Sequence, residues 1–215
     1  MKIIRHVSLI FFISLYLLSC NSKGEKNTPG VKEITIKDTN TIKDTQGSAV
    51  NSYASIDLSP MDMSYFPVDY PKIKMSDPSA APPMARVIYS RPHLQGRHIF
   101  HEVLKYGEPW RMGANEATEL DLFIDVIIQG KKIKQGRYVL YCIPQKDTWI
   151  IVFNSNIDSW GLQPDPTKDI ARFEVPVKST GNSLEFFTIV FEKIHSGANL
   201  LMAWDNAEVR LPINF

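Results

Sequence analysis

The clearest periodic signal in the chain lies at 119–128, where Leu120, Leu122, Ile124, Val126 and Ile128 share one parity. Asp121 and Asp125 take the other parity, together with Phe123 and Ile127. Successive side chains leave a strand on opposite sides, so a period of two marks a strand with one face buried. The run ends at Gln129-Gly130-Lys131, and a second turn signal at Gln135-Gly136 precedes an apolar run over 137–143. Further strands are predicted at 148–154, 170–177, 184–192, 200–204 and 208–213, each set off by Gly, Pro, Asn or Asp. Only 99–104 reads as helical, and about two turns at most would fit there. Short strands with no long amphipathic helix between them predict an all-β fold. The expected form is an antiparallel β-sandwich, with a jelly roll among the open connectivities, in which inward residues of two facing sheets make one core.

The pattern changes toward the N-terminus. Met1-Lys2-Ile3-Ile4-Arg5-His6 is basic and is followed by an apolar run over 7–18 broken only by Ser8 and Ser14. That is the layout of a secretory signal, and the run is shorter than the roughly 20 residues needed to span a bilayer. It closes on Leu17-Leu18-Ser19-Cys20, which is similar to a bacterial lipobox. Cys20 is therefore expected to become the acylated first residue of the mature chain and to hold it to a membrane, since several acyl chains anchor far more firmly than one. Residues 21–52 are polar, lack aromatics and repeat Thr35-Ile36-Lys37-Asp38-Thr39 as Thr41-Ile42-Lys43-Asp44-Thr45, so they cannot bury a core. About 30 such residues reach on the order of 30 Å. A segment rich in aromatics and proline follows at 53–84 and is expected to pack as an extended arm. The expected organisation is a signal peptide at 1–19, a lipidated Cys20 with tether at 20–52, the arm at 53–84 and the β-sandwich at 85–215.

Composition narrows the function classes. The net charge of +1 with 22% charged residues gives no basic excess for nucleic acid, and no nucleic-acid partner is expected. With Cys20 acylated, Cys142 is the remaining cysteine, set in an apolar strand-like run where it should behave as a small buried hydrophobe. The sequence contains no Gly-x-Ser-x-Gly elbow, no phosphate-binding Gly-rich loop with Lys, no Gly-x-Gly-x-x-Gly and no Cys-x-x-Cys. No cofactor is expected.

Tyr89-Ser90-Arg91-Pro92, Gly96-Arg97, Ile99-Phe100, Tyr106-Gly107, Trp110-Arg111 and Gly113-Ala114-Asn115-Glu116-Ala117-Thr118 stand in an order and spacing that resemble the domain-of-unknown-function 2911 family. The likeness continues through Gly136-Arg137-Tyr138, Ile143-Pro144, Trp149, Asn154, Trp160-Gly161, Phe191 and Ala203-Trp204. The resemblance implies a Bacteroidetes-like envelope lipoprotein and brings no activity with it. At His101 similar sequences usually carry Gly, which weakens any metal site using His101.

The richest chemistry is Arg91, Arg97, Arg111, Asn115 and Glu116, with Trp110 and Trp160 as flat apolar platforms. Arginine supplies a planar fork of donors suited to carboxylate, phosphate or sugar hydroxyls, and Glu116 is the candidate acid or base. The competing reading is a structural clamp, in which Glu116 pairs with an arginine, Asn115 bonds the backbone, and Gly113 and Asn115 accept positive φ. His98 and His101 would share one side of a helix, but Lys105 stands where a zincin pattern requires a second His, and no metal site is expected among His93, His98, His101 and His195. For glycoside chemistry only Glu116 with Glu119 or Asp121 offers a carboxylate pair. The leading expectation is an envelope lipoprotein whose sandwich binds a small molecule, glycan or envelope protein. The alternatives are a hydrolase-like enzyme using Glu116 with Arg111, and a structural module. Asn21 after Cys20 points to the outer membrane, and Ser22-Lys23-Gly24-Glu25 lacks the acidic cluster linked to surface export, which favours a periplasm-facing position.

Overall fold

The computed structural model describes residues 57–215. The signal segment, Cys20, the tether and the first residues of the arm lie outside the described residues. In chain order the elements are β1 (Met61–Phe66), α1 (Tyr70–Ser76), β2 (Ala85–Ser90), β3 (Thr118–Leu122), β4 (Val126–Ile128), β5 (Lys131–Ile133), β6 (Gly136–Pro144), β7 (Thr148–Asn154), β8 (Asp169–Pro176), β9 (Lys178–Ile194) and β10 (Gly197–Asn214). A π-helical turn at Ile99–Val103 takes the place of the predicted short helix, closed by Leu104 N donating to Ile99 O at 2.7 Å.

The strands form two antiparallel sheets, ordered β1-β2-β3-β6-β7-β8 and β5-β4-β10-β9, as an all-β sandwich. β1-β2-β3 and β6-β7-β8 are runs of sequence neighbours, while the chain crosses between the sheets at β3–β4, β5–β6 and β8–β9, which makes β3-β6 and β4-β10 non-consecutive neighbours. The arm is not merely laid over the surface. Its 61–66 segment is a full edge strand, paired with β2 from Met61↔Ser90 to Phe66↔Ala85, and Pro60 and Pro67 fall just outside that ladder.

Two stretches depart from the predicted strands. The 119–128 run is two strands in different sheets, β3 in the first and β4 in the second. Leu120, Leu122, Val126 and Ile128 are buried as the parity requires, but Ile124 is 39% exposed at the corner between them. Asp125 holds that corner, accepting from Gln135 N at 2.9 Å and pairing with Lys132 Nζ at 2.9 Å. Conversely, the segments predicted at 200–204 and 208–213 are one strand. Leu200, Met202 and Trp204 point inward, then Ala207, Val209, Leu211 and Ile213 do, and register shifts around Asp205, at φ 52°, move the buried parity by one.

The core between the sheets is aromatic. Trp149, Phe153, Phe173, Phe187, Phe191 and Trp204 are buried as expected, each contributing about 1.5–3 kcal/mol by burial. Phe186 departs from the packing expected of it, at 40% exposure with its ring stacked on His93. Cys142 is fully buried, and burial pushes its thiol well above the ordinary range, in keeping with a packing role.

The β9–β10 hairpin closes at Ile194↔Gly197, where Gly197 has φ 150° and a Cβ would collide with the Ile213 carbonyl oxygen. Gly197→Ala is expected to lower the unfolding free energy in urea by about 2 kcal/mol or more. Gly181→Ala in β9, where nothing stands within 4 Å of the added methyl, should stay within about 0.5 kcal/mol of the parent.

Candidate functional site

The long connection between β2 and β3, residues 91–117, bonds to both sheets. On the second sheet, Leu94 N donates to Glu185 O at 3.0 Å and Phe187 N donates to Pro92 O at 2.9 Å. On the first, Trp110 N and Cys142 O lie 2.7 Å apart, and Cys142 N and Trp110 O 2.8 Å, so Trp110 extends the ladder on β6 beyond the end of β3. Backbone bonding to two sheets fixes the walls between them.

Those walls enclose a cleft of about 480 Å³. Arg97, His93, Arg111 and Leu162 are among the residues that line it, together with Trp110 and the buried Trp204 behind it. The two indoles stack at 5.6 Å and 24°, and Trp110 meets Trp149 and Phe187 edge-on, so the lining continues into the core.

Each guanidinium is oriented by carbonyl oxygens. Arg97 donates through Nε to Leu94 O at 2.8 Å and through Nη2 to His93 O at 2.9 Å. Arg111 approaches Trp160 O through Nη1 at 3.3 Å and Gly113 O through Nε at 3.5 Å, and its guanidinium lies 5.8 Å over the Trp160 ring. Among the described residues neither arginine pairs with a carboxylate. Burial without a counter-charge lowers the pKa of Arg111.

The other predicted residues do not converge on this cleft. Arg91 turns to Asp62 at 3.5 Å and lies over the Phe186 ring. Glu116 is exposed and lines a separate hollow with Glu119, Arg137, Asp158 and Trp160. Trp160, 61% exposed, caps Arg111 from outside. Glu119 is held by Arg137 and Asp121 by Arg86, so both partners considered for a carboxylate pair with Glu116 are committed to ion pairs. His98 N donates to Glu102, the His101 side chain lies outside what is described, and among the described residues no three His, Cys, Asp or Glu are grouped to hold a metal.

The expected ion-pair clamp is corrected in detail. Neutral hydroxyls lock the 111–118 loop: Ser90 Oγ accepts from Ala114 N at 3.2 Å and Asn115 N at 3.1 Å, and Thr118 Oγ1 donates to Met112 O at 2.6 Å. Asn115 Nδ2 reaches the Asp57 carboxylate and Ser59 O, which ties the chain before β1 to the loop. Positive φ falls on Met112, at 58°, while Gly113 is required for space, since a Cβ there would lie 3.1 Å from Glu116 O and 3.2 Å from Ser90 Oγ. Gly161 has both requirements, with φ 79° and a would-be Cβ 2.8 Å from that of Ala117 and 3.1 Å from that of Arg111. It lets the Trp160 loop close onto the arginine.

Sequence reasoning missed Trp204 and His93 as walls. Both carried visible signals, but an apolar strand position reads as core and a lone His reads as a ligand candidate.

Fold and site together define a two-sheet antiparallel β-sandwich with an arginine-walled, tryptophan-based cleft at one bridging connection. The chain belongs to the DUF2911 family, described as a protein of unknown function, through a match over residues 77–213. No curated protein and no solved structure matches it. Strand β1 lies before the matched region.

Removal of Glu116 should leave stability within about 0.5 kcal/mol, because the exposed carboxylate has no ion-pair partner among the described residues. Ser90→Ala should cost about 1–3 kcal/mol in the same urea titration by leaving two backbone N–H groups without their acceptor.

Proposed function

We propose that this chain is an envelope lipoprotein, held at the outer membrane and facing the periplasm through acyl groups on Cys20, whose sandwich captures a small molecule in the cleft between Arg97 and Arg111. The observation that carries the reading is that two arginines line one cleft while neither is neutralised by a carboxylate among the described residues. A cation maintained only for stability is usually paired, since an uncompensated, partly desolvated charge costs the fold free energy. The cleft volume falls within the range of small-molecule sites, about 300–1,000 Å³.

Binding is favoured over catalysis by where the carboxylates stand. Glu116 does not line the cleft, and neither does any other Asp or Glu among the described residues. An acid–base mechanism on Glu116 with Arg111 would act across two separate hollows. The hydroxyl lock on the 111–118 loop supports a binding role, because it holds Arg111 and Trp110 in place before any ligand arrives.

Ligand-observed NMR of the purified full chain against a diverse set of small fragments tests the capture. Hits are expected that are lost in Ala114→Leu, which enlarges a cleft wall, and a set with no hit sensitive to that change would contradict the proposal. Anchoring is tested separately: radiolabelled palmitate should enter the wild-type chain in a bacterial host and sediment with membranes. Cys20→Ser should carry no label and appear in the soluble fraction, and label retained by the variant would refute the anchor.

A further inference from the structure

We infer that the ligand of this cleft is an organic anion with a flat apolar body, its anionic head between the guanidinium groups of Arg97 and Arg111 and its body against Trp110 and Leu162. The inference rests on the reading of the cleft as a small-molecule site and names the class of molecule it takes.

The charge of the lining is one-sided. Arg97 and Arg111 are its guanidinium donors, the other polar side chains are His93, Ser59 and Gln95, and no Asp or Glu lines it. A neutral glycan offers hydroxyls that need acceptors as well as donors, and sites for it draw on carboxylates and amides. This lining carries guanidinium donors and no carboxylate, and therefore suits a ligand that is itself an anionic acceptor.

The guanidinium geometry points the same way. Arg97 spends Nε and Nη2 on backbone carbonyls, and Arg111 spends Nε and Nη1, so each group is fixed in plane. Nη1 of Arg97 and Nη2 of Arg111 carry donors with no acceptor among the described residues. A carboxylate or phosphate oxygen satisfies such donors with charge-assisted hydrogen bonds, the stronger kind. Arg111 is partly desolvated without a counter-charge, and an arriving anion supplies one.

Size and apolarity exclude a bare inorganic ion as the occupant that fits. The cleft is about 480 Å³, and Trp110, Val103 and Leu162 provide apolar surface that a phosphate alone leaves unused. Planar indoles favour a planar partner, stacked or edge-on. His93 closes the wall with its Nδ1 3.5 Å from Glu185 Oε1 and its ring on Phe186, which settles its orientation before binding.

Calorimetric titration of the full chain with four probes tests the class: 1-naphthoate, its neutral isostere 1-naphthamide, 1-naphthylmethylammonium and inorganic phosphate. The expected result is that 1-naphthoate binds at least about tenfold more tightly than each of the others. Arg97→Gln and Arg111→Gln should each remove about that advantage, weakening 1-naphthoate far more than 1-naphthamide. Equal binding of 1-naphthoate and 1-naphthamide in the wild-type chain overturns the inference while the small-molecule reading stands, and this comparison needs no variant to fold. Phosphate binding as tightly as 1-naphthoate overturns the apolar body. Binding of 1-naphthoate that persists in Ala114→Leu, or no binding by any naphthalene probe, overturns both.

Discussion

The site depends on one connection being hydrogen-bonded to two sheets at once. Between β2 and β3 the chain leaves the first sheet, bonds to β9 of the second through Pro92 and Leu94, and returns to β6 through Trp110. Backbone bonds are obligatory for buried segments, so this path is set by the same accounting that sets the strands. The cleft is the space such a bridging path encloses, and its arginines stand where the path turns.

Around that bridge, stabilisation and chemistry are divided between different residues. The loop carrying Arg111 is locked by Ser90 and Thr118, both fully buried, and by the close approaches at Gly113 and Gly161. None of these groups is charged. Of the ion pairs, Glu119 with Arg137 and Asp121 with Arg86 join neighbouring strands on the outward face of the first sheet. Among the described residues no carboxylate pairs with Arg97 or Arg111, and neutral contacts hold the walls that carry them.

Much of the fold was legible because strand burial has a period of two. Thr148–Asn154 falls where the apolar run predicts it, and the aromatic strand positions pack as expected. Parity alone does not reveal a change of sheet: Leu120, Leu122, Ile124, Val126 and Ile128 keep one parity through a corner, and of these five Ile124 alone is exposed. Parity also disguised β10, where the shift around Asp205 divides one strand into two apparent ones. At the site, Arg97, Trp110 and Arg111 were legible as residue types, but their convergence was not, because it depends on which sheet each end of the connection joins. Glu116 stood next to Asn115 in sequence and so seemed part of one constellation, yet the turn at Met112 to Asn115 sends it into a different hollow.

The division between neutral lock and free arginine is tested most directly by urea unfolding of the Arg97→Gln, Arg111→Gln double variant without ligand. The account predicts an unfolding free energy within about 1 kcal/mol of the wild type, or higher, as expected when charges are kept for binding at some cost to the fold. A loss above about 3 kcal/mol would show the arginines to be members of a buried structural pair network, and would contradict it.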